Sequence, residues 1–316
     1  MSFSADVKEE LSRHTGTARH CQIAELAAIV ALCGRVEKDE NGLFSLKIST
    51  ENEIVIRKCF TLLEKTFNIN ACNPKEDINL KKGNTYTVQL DDDRQVQKML
   101  QAFKVLEDGK LVLPNGLVNP MLIQMTCCKR AFVRGAFLAA GSVSDPNKFY
   151  HFEVVCDTPV QACQIRDVMN TFDAEAKVIQ RKKYYVVYVK EGTQISDLLN
   201  VMEASVSLMN FENVRILKEM RNSLNRQVNC ETANLNKTVL AAVRQIEDIE
   251  CIRDTIGFES LNSGLRDVAV ARLENPDMNL KDLGGLLSPP VGKSGVNHRL
   301  RKLSEIAESL RGDAKV

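Results

Sequence analysis

One order of segments occurs twice between residues 1 and 205, and an internal repeat of this kind decides the fold class before any single segment does. In the first copy CQIAELAAIVALCGRVE (21–37) reads as a helix, FSLKIST (44–50) as a strand and ENEIVIRKCFTLLEKTF (51–67) as a helix. NTYTVQL (84–90) follows as a strand and DDDRQVQKMLQAF (91–103) as a helix. The second copy repeats the order with CCKRAFVRGAFLAAGSV (127–143), FYHFEVVC (149–156), DTPVQACQIRDVMNTF (157–172), KYYVVYV (183–189) and GTQISDLLNVM (192–202). The strands are assigned from alternation and from their Val, Ile, Tyr and Thr content. The repeating unit is αββαββα, with some strands too weak to read singly. Asp91, Asp92 and Asp93 fall where a helix needs its N-cap and first turn, so they are read as capping residues rather than metal ligands.

A different pattern closes the chain. Leu280, Leu283, Leu286 and Leu287 form the apolar stripe of a short helix, which Pro289, Pro290 and Gly292 must end. Ser294 is placed to cap a second helix, in which Val296, Leu300, Leu303, Ala307 and Leu310 keep a 3.6-residue period. Its other side presents Asn297, His298 and Arg301, flanked by Lys293, Arg299 and Lys302. This is the sequence form of a helix-turn-helix spanning Asn279 to Leu310. In such a motif the second helix enters the major groove with its N-terminal residues on base edges. Asn pairs two-handed with adenine and Arg with guanine, while Lys and Arg neutralise phosphates. Docking in the groove is therefore expected from the helix that begins at Ser294, with base contacts from Asn297, His298 and Arg301 and phosphate contacts from Lys281, Lys293, Arg299 and Lys302. The competing reading of these residues is a solvated basic face on an ordinary helical hairpin.

Residues 206–236 join the halves. Arg215, Lys218 and Arg221 recur at intervals of three, with Arg226 further on, so a helix from about Phe211 to Leu224 has a basic face opposed by Glu219. That face reads either as a solvated linker helix or as an auxiliary set of DNA contacts. NCETANLNKT (229–238) suits a turn, with Thr232 or Asn234 capping a helix from about Lys237 to Thr255. In that helix Val239, Val243, Ile246, Ile249, Cys251 and Ile252 are expected inside, and Glu247, Asp248, Glu250 and Asp254 outside. SLNSGLRDVAVARLENP supplies one more helix, which Pro276 stops. The organisation expected is a first repeat with its N-terminal helix over 1–110, a connector over 111–126, a second repeat over 127–205, a linker with a basic helix over 206–236, and a helix-turn-helix domain over 237–316.

Bulk composition excludes more than it assigns. Of 316 residues 44% are hydrophobic and 26% charged, which describes a chain with sizeable cores. The net charge of +1 announces no nucleic-acid partner, and residues 206–316 carry 16 basic and 15 acidic side chains, so DNA binding must rest on local patches. No segment approaches the ~20 apolar residues of a membrane helix. The polar start, MSFSADVKEELSR, is unlike a signal peptide, so a cytoplasmic location is expected. Ten cysteines lie irregularly and are read as reduced, mostly buried thiols. Cys127-Cys128 and the group His14, His20 and Cys21 are of metal-ligand type, but neither has zinc-ligand spacing, and neither a metal nor a cofactor is expected.

LAAIVALCG (Leu26 to Gly34) and VRGAFLAAG (Val133 to Gly141) each resemble the LAGLIDADG motif of homing endonucleases, whose two copies pack helix on helix between two saddle-shaped sheets. Ala28, Gly135 and Ala139 match the motif's small residues, and Gly34 and Gly141 match the glycine that ends each helix. The motif's metal-binding acid falls on Cys33 and Ala140, and its other acid on Ala31 and Leu138. Neither copy keeps a carboxylate to hold Mg²⁺, so no catalytic residue is assigned and nuclease activity is not expected. With the helix-turn-helix behind it, the chain is similar over its full length to the WhiA family of bacterial regulators. MSFSADVKEEL, RGAFLAAGSVSDP, NCETANLNKT and SPPVGKSGVNHRLRKL carry that similarity.

The resemblance implies an α+β fold: a tandem αββαββα LAGLIDADG-like pseudo-dimer with two saddle sheets, then an all-α helix-turn-helix domain. It implies a non-enzymatic transcriptional regulator of sporulation, cell division or chromosome segregation, bound to double-stranded promoter DNA at the nucleoid. The exposed strand positions Ser45, Lys47, Ser49, Thr85, Thr87, Gln89, His151 and Glu153 are poor in bases, with Lys182 and Lys183 at a strand start, so the first domain is expected to bind DNA weakly and to serve as an auxiliary DNA surface or to meet a protein partner such as RNA polymerase or a sigma factor. Neither a membrane nor a small-molecule substrate is expected. The alternative is an adaptor of the division or nucleoid machinery that binds DNA only non-specifically.

Overall fold

The computed structural model describes residues 2–69, 85–113 and 116–313. They fall into two compact units divided between Lys218 and Glu219.

The first unit opens with α1 (Phe3–Arg13) and then runs through α2 (Arg19–Cys33), β1 (Gly34–Lys38), β2 (Phe44–Thr50), α3 (Glu53–Phe67), β3 (Tyr86–Leu90) and α4 (Asp93–Ala102). A two-residue hairpin, β4 (Leu106–Glu107) with β5 (Lys110–Leu111), and a 3₁₀ turn at Pro120–Ile123 lead to the second copy. That copy comprises α5 (Thr126–Ala140), β6 (Gly141–Val143), β7 (Phe152–Cys156), α6 (Pro159–Asn170), β8 (Lys177–Arg181), β9 (Tyr184–Val189) and α7 (Gly192–Val201). It is the αββαββα unit in full. In the first copy the segment between α3 and β3 lies outside the described residues.

Two helices expected from the sequence are shorter than read, because GRVE and GSV leave them as strands. Gly34 and Gly141 each follow the last helical residue in extended backbone, at φ −97°, ψ 151° and φ −88°, ψ 158°. Gly34 pairs with Ile48 and Gly141 with Val154, so β1 and β6 begin their ladders on the residue that stops the helix. The sheets are antiparallel, in the order β1-β2-β3 and β6-β7-β9-β8. β8 escapes sequence reading because four of its five residues are exposed at a sheet edge, where alternation carries no signal.

Alternation on the paired strands sends Leu46, Ile48, Val88 and Leu90 of one sheet, and Phe152, Val154, Val187 and Val189 of the other, into one core. Each such buried side chain is worth about 1.5–3 kcal/mol of transfer free energy. The helices α2 and α5, one from each copy, pack against each other. Of the three aspartates Asp92 is the cap and Asp93 stands in the first turn, while Asp91 accepts from Gln89 Nε2 at 2.9 Å. Asp92 caps α4 by accepting from the amides of Arg94 (3.0 Å) and Gln95 (3.3 Å), and Asp93 accepts from Phe44 N at 2.8 Å.

The helix that follows, α8, runs unbroken from Ser205 to Thr255. Its first turn is capped from α1, where Glu10 accepts from the amides of Val206 (2.8 Å) and Ser207 (2.9 Å), and Phe211 is fully buried. The turn expected at 229–238, and with it a separate helix starting near Lys237, is therefore not formed. The segment holds neither Gly nor Pro, and the Asn and Thr residues each cost a helix under about 1 kcal/mol, too little to end it. Termination comes at Gly257, at φ +71°.

The second unit contains the last part of α8, then α9 (Ser263–Glu274), α10 (Leu280–Gly285) and α11 (Lys293–Asp313). Ile249, Ile252, Leu265, Val268, Leu283, Leu287, Val296, Leu300, Leu303 and Ala307 form its core. Val239 and Val243, expected inside, are 51% and 45% exposed, on the wall of an open groove that Arg272, Asn279 and Asn297 line from the other side. Asp248, expected outside, is buried. It accepts from Ser304 Oγ at 2.6 Å and Arg311 Nη1 at 2.7 Å, and so ties α8 to α11.

Candidate nucleic-acid interface

In the second unit Asn279 caps α10 by accepting from the amides of Lys281 (3.0 Å) and Asp282 (3.1 Å). After α10 the chain folds back so that Val291 N donates to Gly284 O at 2.9 Å. A β-carbon at position 284 would lie 2.0 Å from Val291 O, so this turn closes only on glycine. Leu283 and Leu287 are buried as expected, but Leu286 is 56% exposed, since the helix ends before its turn would carry that side chain inward.

Helix α11 starts at Lys293, one residue before the expected cap. Gly292 O receives the first amide bonds, from Gly295 at 2.9 Å and Val296 at 3.1 Å, and Ser294 lies inside the first turn. Val296, Leu300, Leu303 and Ala307 hold the helix on the core. That fixes its rotation, and Ser294, Asn297, His298 and Arg301 stand exposed at i, i+3, i+4 and i+7, one face of the helix. Lys281, Lys293 and Lys302 are exposed beside them. Among the described residues none of Lys281, Lys293, Arg301 and Lys302 has an ion-pair partner, so each cation is free to meet a phosphate or a base.

Arg299 behaves differently from the phosphate contact expected of it. It is half-buried, donates from Nη1 to Gly264 O at 3.2 Å, and lies against the face of α9 at Gly264. Its position three residues beyond Val296 turns it toward α9 rather than outward.

The four auxiliary bases divide between the units. Arg215 pairs with Glu212 at 2.9 Å and donates to Thr193 Oγ1 at 2.9 Å, and Lys218 Nζ sits 5.0 Å above the Tyr150 ring. Both serve the packing of α8 in the first unit. Arg221 and Arg226, in the second, are exposed. Sequence reading missed a groove of about 550 Å³ in the second unit, lined by Leu235, Val239 and Val243 of α8, Arg272 of α9, and Asn279 and Asn297. The exposed Val and Leu at intervals of four on α8 were its only signal.

The saddle sheets carry few bases. Arg35 and Lys47 pair across β1 and β2, with Gln89 beyond them, and Ser49 Oγ meets Thr87 Oγ1 at 3.2 Å. On the other sheet Glu153 takes up both His151 Nε2 (3.0 Å) and Arg181 Nη1 (3.2 Å), while Lys177 stands exposed opposite Tyr188 and Lys190 Nζ lies 5.3 Å above the Tyr188 ring.

At the C-terminal ends of α2 and α5, where a LAGLIDADG nuclease would hold its metal, Cys33 Sγ donates to Ala139 O at 3.7 Å. Burial pushes this thiol up to about 11. Lys8 Nζ donates to Leu138 O at 3.1 Å and is lowered to about 8 by burial. A protonated thiol, an alanine and a buried amine do not fit Mg²⁺, which demands oxygen ligands. Glu37 and Asp157 line the adjoining cavity, but among the described residues they join no third donor.

Three family models match the chain in order: the WhiA N-terminal LAGLIDADG-like domain over residues 19–106, the WhiA LAGLIDADG-like domain over 129–221, and the WhiA C-terminal HTH domain over 224–307. A probable cell division protein WhiA of Lachnoclostridium phytofermentans is 53% identical over 98% of this chain and 100% of its own length. One of Clostridium acetobutylicum is 46% identical over 100% of both chains. The crystal structure of full-length DUF199/WhiA from Thermatoga maritima shares the fold, with a TM-score of 0.60 at 23% identity over 98% of this chain and 99% of that one. With three consecutive domain models matched and full-length relatives near half identity, the chain belongs to the WhiA family.

Proposed function

We propose that this protein is a sequence-specific regulator of transcription that binds double-stranded promoter DNA through α11 and has no enzymatic activity. The observation that carries the reading is the single exposed face of Ser294, Asn297, His298 and Arg301, a hydroxyl, an amide, an imidazole and a guanidinium at helical spacing with no intramolecular charge partner among the described residues. These are the side-chain types that read base edges in the major groove. Lys281, Lys293 and Lys302 flank them as phosphate contacts, and Arg221 and Arg226 extend the positive surface of the same unit. The names of the relatives support cell division as the regulated process. Chromosome segregation or sporulation is the other process this reading allows, and binding at the nucleoid follows from promoter occupancy.

The first unit keeps the saddle of an endonuclease without its metal carboxylates or a dense basic lining. It serves in this reading as a protein-interaction surface, with RNA polymerase or a sigma factor as its partner. The competing adaptor reading differs in one measurable quantity, because a specific regulator prefers its site over random duplex by ~10³ or more.

Crosslinked immunoprecipitation across the genome, comparing wild type with Arg301→Ala, tests the proposal. The expected result is sharp promoter peaks sharing one motif, lost in the variant. Broad, motif-free enrichment that the substitution leaves unchanged would favour the adaptor. Supercoiled plasmid incubated with the protein and Mg²⁺ is expected to stay uncut.

A further inference from the structure

The N-terminal ends of α2 and α5 bring together four soft donor atoms that the sequence holds more than a hundred residues apart. His20 and Cys21 are the second and third residues of α2, and Cys127 and Cys128 are the second and third residues of α5. The two dipeptides thus occupy equivalent positions in the two copies of the repeat, and the packing of α2 on α5 places them face to face. Their ligand atoms all lie within 4.8 Å of one another. His20 Nε2 is 3.8 Å from Cys21 Sγ and 3.9 Å from Cys127 Sγ. His14, grouped with them in sequence, points elsewhere and meets Glu203 at 3.2 Å.

We propose that His20, Cys21, Cys127 and Cys128 form a structural zinc site that clamps the two repeats together. With Zn–S near 2.3 Å and Zn–N near 2.0–2.1 Å, tetrahedral coordination separates its donors by roughly 3.3–3.8 Å, so the set needs to contract by an ångström or less. Three thiolates and an imidazole select a soft or borderline cation over Mg²⁺ or Ca²⁺. Both helices direct their N-terminal, positive ends at the cluster, which favours three thiolates around one dication. Cys21 and Cys128 are buried beside Ala24 and Ala131, while His20 and Cys127 are exposed, so one side of the site is fixed in the core and the other is open to an entering ion. All four positions are filled by protein, which makes the site structural rather than catalytic. It lies at the opposite ends of α2 and α5 from Cys33 and Ala140. In place of a metal between the C-terminal ends of these helices, this chain holds one between their N-terminal ends.

The full chain, purified under reducing conditions without added chelator, is expected to contain one zinc per molecule by elemental analysis. After zinc removal, Co²⁺ titration should give the near-ultraviolet thiolate-to-cobalt charge-transfer band and the intense visible bands of a tetrahedral site. Cys127→Ser and His20→Asn change exposed ligands and leave the buried packing intact. Each should weaken Co²⁺ binding at least about tenfold, and Cys127→Ser should also reduce the charge-transfer band. Zinc removal from the wild type should lower the melting temperature of the first unit. Failure of the wild-type chain to bind stoichiometric Zn²⁺ or Co²⁺ overturns the proposal. So does a cobalt spectrum that neither variant changes, or a disulfide among these cysteines in place of metal in protein prepared anaerobically.

Discussion

Arg134 of α5 holds Glu25 of α2 with both Nε and Nη2 3.1 Å from Oε2, and the two side chains are 2% and 0% exposed. One residue comes from each copy of the repeat, so this pair joins the copies at the centre of their interface. Lys58 Nζ stands 3.0 Å from the other carboxylate oxygen, and Arg134 also pairs with Glu203, which leaves two acids and two bases in balance. Removing one member of such a set strands a buried charge. Arg134→Ala is therefore expected to destabilise the first unit by about 3–5 kcal/mol, read from urea unfolding of the full chain. Glu25→Gln should cost less than Arg134→Ala, because the amide retains a hydrogen-bonding oxygen. Equal stability of wild type and Arg134→Ala would show that the pair contributes nothing.

At Gly135 the backbone of α5 packs tightly against α2. A β-carbon there would stand 2.4 Å from Glu25 O and 3.0 Å from the Ala28 β-carbon. Gly135→Ala must push the central helices apart and is expected to cost about 1–3 kcal/mol. Gly285, in α10, has open space where a β-carbon would stand, and Gly285→Ala is expected to be neutral or stabilising by up to about 1 kcal/mol. Thermal melts of the two variants should move in opposite directions or by very different amounts.

These positions show which parts of the molecule were legible in sequence. The repeat, the strands β2, β3, β7 and β9, and the apolar stripe of α11 rest on periodicity, which survives in any single window of the chain. The exposed face of Asn297 and Arg301 followed from that stripe, because Val296 and Leu300 inward force these two outward. Arg299 and Arg215 make internal bonds to Gly264 O and Thr193 Oγ1, 35 and 22 residues away, which no local pattern records, although the Glu212 partner of Arg215 lies only three residues off. The pairing of His20-Cys21 with Cys127-Cys128 was hidden for the same reason. Each half alone lacks zinc-ligand spacing, and only the packing of α2 on α5 supplies the rest.

Buried thiols should set the alkaline limit of the first unit. Burial raises Cys33 to about 11 and Cys156 to about 12, and pushes the fully buried Cys59 further up, from the ordinary 9.0 of an unfolded chain. Above pH 9 the unfolded chain releases these protons while the folded one keeps them, so their contribution is intact below pH 9 and lost as pH rises through the folded values. Lys8, lowered from 10.5 to about 8, and Lys58, lowered by its burial, contribute with the opposite sign, but two amines are outnumbered by three thiols. Stability in urea is expected to fall between pH 9 and pH 11, and Cys156→Val should make that fall shallower. An unchanged slope in the variant would remove the thiols as its cause.

The free and the tethered bases of the second unit should separate in salt. Lys293→Ala and Lys302→Ala are each expected to weaken specific and random duplexes alike and to lower the slope of log affinity against log salt by about 0.9. Arg301→Ala should instead cost about 1–3 kcal/mol on the specific site and relax the preference at one base pair. Arg299→Ala removes the bond to Gly264, so its main effect should be a lower melting temperature of the second unit with the salt slope retained. A full loss of one unit of slope in Arg299→Ala would return that residue to the phosphate contacts.

The middle of α8 should be the first segment to open. Met220, Leu224, Val228, Leu235 and Val239 are each at least 50% exposed, and residues 219–241 are exposed throughout, so this stretch is helical without tertiary support. A helix of such length depends on its own propensity, which is marginal in water, and the Asn and Thr residues at 229, 232, 234 and 236 lower it further. Local opening there costs far less than global unfolding of either unit. Limited proteolysis of the full chain is expected to cut first between residues 219 and 241, leaving two resistant fragments that mass spectrometry can assign. Ala substitutions at Asn229, Thr232, Asn234 and Asn236 should slow that cut by raising helix propensity, without changing the melting temperature of either unit. Initial cleavage elsewhere, at a rate these substitutions leave unchanged, would mean that something covers this stretch of α8 in solution.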